Sequence, residues 1–393
     1  MLDIWPPFPL VVYDIASLTE NVDNILAALK RRDRVDEINL YQVNGSSLEK
    51  VLAAMQEPFP ELTFLQLGSY DKSVPVVPDS FLGRSAPRLR FLLLRGIPFP
   101  GWPKLLLSTT NLVVLDLSNI PHSGYISPDM LVTALSTLIN LVSLWLRFQS
   151  PRSHLDQASR RPPPMTRTVL PALTYFSFKG AHEYLDDLVA GIDAPRLDDL
   201  DITFFNDIVF DASQLIQFIS RTSTLSAVEN SHIVIGRDRG IVNSSSQTSR
   251  YQVKILCREL DWQVSSLEQV CTSCLPPLST TEDVYIYSAM YWPSNQQDNI
   301  ENSLWLELLR SFTALKNLYL SKEFAPLIAP ALQDLVASRA TEVLPTLQNI
   351  FLEGLQPSGP IQKVIGKFVA TRQLSGHSIT VSLWDRSVIE EMD

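Results

Sequence analysis

Apolar positions along this chain fall into one short pattern, L-x-x-L-x-L, that returns again and again. Clear copies are Leu62-Leu65-Leu67, Leu89-Leu92-Leu94, Leu112-Leu115-Leu117 and Leu141-Leu144-Leu146. Looser ones are Val35-Ile38-Leu40, Leu173-Phe176-Phe178, Leu197-Leu200-Ile202, Leu315-Leu318-Leu320 and Leu347-Ile350-Leu352. The terminal L-x-L alternates with period two, so each copy predicts a short strand with one buried face. In five copies a proline stands two residues before the first apolar position: Pro60, Pro87, Pro171, Pro195 and Pro345. Proline cannot donate to a strand ladder and disfavours helix in the residue before it, so these positions are expected to close one unit and open the next.

Between the strands the spacing changes to that of amphipathic helices. Ser17-Leu-Thr-Glu20 and Ser46-Ser-Leu-Glu49 read as capping boxes. The stripes Leu18-Val22-Ile25-Leu29 and Leu48-Val51-Leu52-Met55 follow them. Ser127-Pro128-Asp129 places a cap, a first-turn proline and an acid ahead of Leu131, Leu135 and Leu138. Further helices are expected near 182–190, 212–220, 300–312, 328–338 and 360–371, and one across Glu259–Leu275 that turns Leu260, Trp262, Val264, Leu267, Val270, Cys271 and Cys274 inward.

Strand alternating with helix at a period of about 23–34 residues is the signature of an α/β leucine-rich-repeat solenoid, a horseshoe with a parallel sheet on its concave side. The irregular period predicts an irregular solenoid, read as a single domain over 1–393. Two segments depart from the rhythm. Residues 150–167, SPRSHLDQASRRPPPMTR, predict a long exposed loop, and 226–257 predicts extra strands around a polar loop in place of a regular helix.

Composition agrees with this and narrows the function. Leucine supplies 58 of 393 residues, and 45% of the chain is apolar, too much for a disordered polymer. Yet no run approaches a membrane span. The net charge of -10 argues against a nucleic-acid surface, which is ordinarily basic. The opening MLDIWPPFPLVVYD has neither the basic start nor the apolar core of a secretory signal, so the cytoplasm or nucleus is expected. Three cysteines, Cys257, Cys271 and Cys274, suit no disulfide framework, and no histidine lies near enough to complete a zinc site with the last two. Nucleophile-elbow, phosphate-loop, dinucleotide and zinc-protease motifs are missing, the five histidines lack ligand spacing, and Asp186-Asp187 and Asp198-Asp199 read as solvated faces. Neither enzyme chemistry nor a cofactor or metal is expected.

Together the P-x-L-x-x-L-x-L units, their uneven spacing, Val77-Pro-Asp-Ser-Phe-Leu82 and Arg161-Pro-Pro-Pro164 resemble the leucine-rich-repeat portion of fungal F-box-like proteins, from about residue 4 to 385. The resemblance implies a repeat surface that holds the substrate of a Skp–cullin-type ubiquitin ligase. The alternative is a free-standing binding or scaffold protein. No Leu-Pro-x-Glu helix cluster precedes the repeats, so a Skp-type adaptor is expected as a partner only if an F-box lies outside this chain.

A protein ligand is therefore expected on the concave face, where the residue inside each L-x-L and the one after it should point. The first row reads Asn39, Gln66, Leu93, Asp116, Trp145, Ser177, Asp201, Tyr285, Tyr319 and Phe351. The second reads Tyr41, Arg95, Ser118, Arg147, Lys179, Thr203 and Tyr287. Aromatics and arginine dominate binding hot spots, which singles out Arg95, Asp116, Trp145, Arg147, Tyr285, Tyr287, Tyr319 and Phe351.

Overall fold

In the computed structural model the described residues are 8–14, 22–69, 71, 74–99, 102–151, 166–205, 213–226, 230–273, 278, 280–288, 300–334, 343–354 and 359–385. Most of the expected loop 150–167, the first capping box and Cys274 lie outside them. The chain divides into two compact units, Met1–Leu197 and Asp198–Asp393.

The first unit runs β1 (Leu10–Asp14), α1 (Val22–Leu29), β2 (Val35–Leu40), α2 (Gly45–Ala54), β3 (Phe64–Gly68), β4 (Phe91–Arg95), α3 (Trp102–Leu106), β5 (Val114–Ile120), α4 (Pro128–Leu135), β6 (Ser143–Phe148), β7 (Thr168–Val169), β8 (Tyr175–Gly180), α5 (His182–Ala190) and β9 (Ile192–Asp193). Its sheet has the order β1-β2-β3-β4-β5-β6-β8, parallel throughout, while β7 and β9 pair separately. The repeat positions stack in register: Leu65, Leu92, Leu115, Leu144 and Phe176 form one row, and Leu67, Leu94, Leu117, Leu146 and Phe178 the next. Both rows are at most 4% exposed and carry the core, against buried helix residues such as Leu48, Leu52, Leu131 and Leu185. The intervening residues lie on the opposite, open face, half-buried except for Ser177, which is 1% exposed.

The prolines do more than end a helix. Each is the second residue of a four-residue turn, in which the amide of the first repeat leucine donates to a carbonyl three residues back: Leu62 to Phe59 (3.3 Å), Leu89 to Ala86 (3.1 Å), Leu173 to Leu170 (3.3 Å), Leu197 to Ala194 (3.2 Å) and Leu347 to Leu344 (3.3 Å). A fixed φ near −65° suits that position. Ser127 caps α4 as expected, accepting from Met130 N at 3.3 Å. At α2 the cap is Asn44, which accepts from Ser47 N at 2.8 Å, two residues ahead of the expected serine.

The second unit runs β10 (Asp199–Phe205), α6 (Ser213–Arg221), β11 (Asn230–Ile235), β12 (Arg239–Ser245), β13 (Arg250–Leu256), α7 (Leu260–Ser273), β14 (Asp283–Ser288), α8 (Asn302–Arg310), β15 (Asn317–Leu320), α9 (Ala325–Asp334), β16 (Asn349–Glu353), α10 (Pro360–Leu374) and β17 (Thr380–Trp384). Its strand order is β10-β13-β12-β11-β14-β15-β16-β17. Here an all-parallel expectation is corrected, because β12 runs antiparallel to both neighbours. The cause is local: only Gly236–Asp238 and Ser246–Ser249 separate these strands, far too little chain for a crossover. Two further corrections are side-chain ones. Trp262 stands 54% exposed where the helical stripe would bury it, and Asp186 is buried at 7% where a solvated face is expected.

Candidate functional site

On the open face each unit presents three columns of side chains, one residue per strand, because parallel neighbours in register aim equivalent positions the same way. In the first unit the middle column is Asn39, Gln66, Leu93, Asp116, Trp145 and Ser177, as the repeat pattern predicts. The column before it carries Glu37, Phe64, Phe91, Val114, Ser143 and Tyr175.

Four of the expected site residues converge here. The Trp145 ring lies 4.7 Å from that of Tyr175, its diagonal neighbour on β8. Arg147, the next outward residue of β6, donates through Nε and Nη2 to Ser177 Oγ at 3.1 and 3.0 Å. Arg95 on β4 donates to Tyr41 Oη at 2.9 Å and sets its guanidinium 5.8 Å from that ring. Asp116 accepts from the Ser118 hydroxyl. Burial pushes the Asp116 carboxyl up, against the opposing pull of Ser118, Arg147 and Arg95. Lys179, opposite Arg147 on β8, is pushed down by burial and by that guanidinium's charge.

In the second unit Tyr285, Tyr319 and Phe351 share the middle column. Asp201 of β10 joins the same column, as the repeat spacing predicts, and the meander adds Gln252, Asn243 and His232, which that spacing alone does not reach. His232, Tyr285, Tyr319 and Phe351 stack in series, with centroids 4.6, 4.1 and 4.4 Å apart and planes within 15°. Trp384 of β17 packs on the stack, 6.0 Å from Tyr285 and 5.8 Å from Tyr319. Tyr287 is beneath it, only 7% exposed in a cluster with Val234 and Trp384, and so offers little surface to a ligand. Burial and the neighbouring Tyr319 push the Tyr285 phenol up.

Beside this stack runs a polar ladder. Asn317 donates to Asp283 at 2.7 Å, Asn349 donates to Asn317 at 2.7 Å, and the Thr380 hydroxyl donates to Asn349. The sequence carries its signal in the recurring Asp283-Val-Tyr285, Asn317-Leu-Tyr319 and Asn349-Ile-Phe351, an acid or amide two residues before an aromatic.

Chemistry elsewhere is sparse. Among the described residues no group of three His, Cys, Asp or Glu is placed to hold a metal, and no helix is long and apolar enough to cross a membrane. A cleft of about 510 Å³ lies where β13 meets α7, lined by Asp238, Leu256, Cys257, Arg258, Glu259 and Trp262. Burial pushes the Cys257 thiol up, which keeps it protonated rather than nucleophilic.

The chain matches no protein-family model and no curated protein. Among solved structures it is similar to the leucine-rich-repeat-containing protein LegL7 from Legionella pneumophila, at 14% identity and a TM-score of 0.31, over 94% of this chain and 97% of that one. The α/β leucine-rich-repeat architecture follows here from the chain's own strand register and burial.

Proposed function

We propose that this chain is a protein-recognition module whose ligand lies on the open face of the sheet. The carrying observation is the cluster around Trp145, where two aromatic rings, two arginines and a lysine come from strands far apart in sequence and remain partly open to solvent. Such residues serve as anchors, because a large ring buries much area at little cost in side-chain freedom and arginine adds directed donors. The aromatic stack of the second unit is a secondary surface, since its rings already spend much of their area on one another.

A photo-crosslinking residue at position 145 should capture a protein ligand that the same residue at exposed Lys50 on α2 does not. With that ligand in hand, Trp145→Ala should weaken binding about tenfold or more, near 1.4 kcal/mol per decade, with an unchanged melting temperature. Full binding by the variant refutes the site.

The finer role follows from the resemblance to the repeat portion of F-box-like proteins: the captured ligand would be a ubiquitin-ligase substrate, with a free-standing scaffold as the alternative. Calorimetry with a Skp-type adaptor tests the direct link: this chain, which shows no Leu-Pro-x-Glu helix cluster, should not bind the adaptor tightly by itself, and a submicromolar complex would overturn that expectation.

A further inference from the structure

The open face of the first unit is amphipathic in one direction. Phe64, Phe91, Trp145 and Tyr175 occupy the first two columns, and Arg95, Arg147 and Lys179 the third. Along a strand, successive outward residues are about 6.6–7 Å apart, and neighbouring strands about 4.8 Å apart, so an apolar strip and a cationic strip run side by side within reach of one short peptide. Among the described residues, the outward positions of β4, β5, β6 and β8 carry a single carboxylate, Asp116, which lies between the two arginines. Three cations against one carboxylate leave this patch positive on a chain whose net charge is -10. Burial depresses the Lys179 ammonium, and Arg147, adjacent in register, repels it further. An arriving carboxylate would offset that repulsion.

Resting on the recognition role above, we infer that this face takes an acidic peptide segment carrying a large apolar side chain, its carboxylates on Arg95, Arg147 and Lys179 and its apolar group on Trp145 and Tyr175. The arginines are already oriented, Arg147 by Ser177 and Arg95 by Tyr41, so their planar donors are set for a carboxylate at little further ordering cost. The net charge of -10 disfavours a general attraction for acidic chains, and loss of affinity in variants of Arg95 and Arg147 locates the binding at this patch.

The test uses the full chain and a fluorescein-labelled peptide of three Glu-Asp-Leu-Phe repeats, read by anisotropy. Saturable binding below about 1 mM is expected, weakening as salt rises from about 50 to 300 mM. The pair Arg95→Glu and Arg147→Glu should weaken it about tenfold or more. Lys50→Glu on exposed α2, which also adds negative charge, should change it less than about twofold. If the double variant melts early, Lys179→Gln, which removes charge without reversing it, provides the same reading. The inference is overturned if the peptide does not bind, if a Gln-Asn-Leu-Phe peptide binds equally, or if a twelve-residue thymidine oligonucleotide competes better than the acidic peptide. Any of these results leaves crosslinking through position 145 as an independent measure of the recognition role.

Discussion

Asp116 is the residue at which the open face of the first unit and its stability meet. Its folded carboxyl holds its proton more tightly than the ordinary value of 3.8, chiefly because burial disfavours the charge more than Ser118, Arg147 and Arg95 favour it. The folded state then binds more protons than the unfolded chain between 3.8 and the raised value, so stability falls as pH rises through that window and stays lower above it. Asparagine cannot titrate and can still accept from Ser118. Asp116→Asn should therefore gain on the wild type as pH rises from about 4 to 7, read as a widening difference in melting temperature. A constant difference would mean that burial and the opposing charges balance, and one that grows in favour of the wild type would mean that the two arginines outweigh burial. The same variant leaves the cationic strip without its one internal carboxylate and should strengthen acidic-peptide binding, which ties the residue to both properties.

At the scale of elements, strands and their faces were legible because the period of two and the invariant apolar spacing encode both burial and register. Leu93, Asp116, Trp145, Tyr285, Tyr319 and Phe351 all lie on the open face that L-x-L assigns them. What was not legible depends on pairing across the sheet. The meander β11–β13 has the right strands in its sequence, but nothing local says that β13 rather than β11 lies beside β10. For the same reason His232 read as an isolated histidine, although the register places it on Tyr285. Tyr287 obeyed the spacing rule and was still covered, because Trp384 arrives from β17, nearly a hundred residues on. The Asn317 ladder is likewise a cross-strand object. Asn317→Ala takes a donor from Asp283 and an acceptor from Asn349, and should cost about 1–2 kcal/mol in urea denaturation. Asn317→Asp should cost more at neutral pH, since it sets a second carboxylate against Asp283. Equal losses for the two variants would show that the ladder is held by shape rather than by its hydrogen bonds.

For the whole molecule, the consequence of a repeat architecture is that damage stays local. Each strand meets only its neighbours, and the core is a row of equivalent side chains rather than one central knot. Leu117, 4% exposed on β5, touches the leucine rows of β4 and β6 through its register partners Leu94 and Leu146. Truncating it removes buried apolar volume and leaves a cavity that the flanking strands only partly close, so Leu117→Ala should cost about 2–5 kcal/mol. In a globule with one shared core, that loss would appear at every amide that exchanges through global unfolding. Here the nearest-neighbour logic predicts that amide hydrogen exchange quickens most in β4, β5 and β6, while β15 and β16, ten strands further along the chain, keep their protection. The mirror variant Leu318→Ala, at a fully buried position of β15, should reverse the pattern, exposing β14 to β16 and sparing β4 to β6. Uniform acceleration in both variants would mean that the chain unfolds as a single cooperative body, and that the open face around Trp145 shares its stability with strands it never touches.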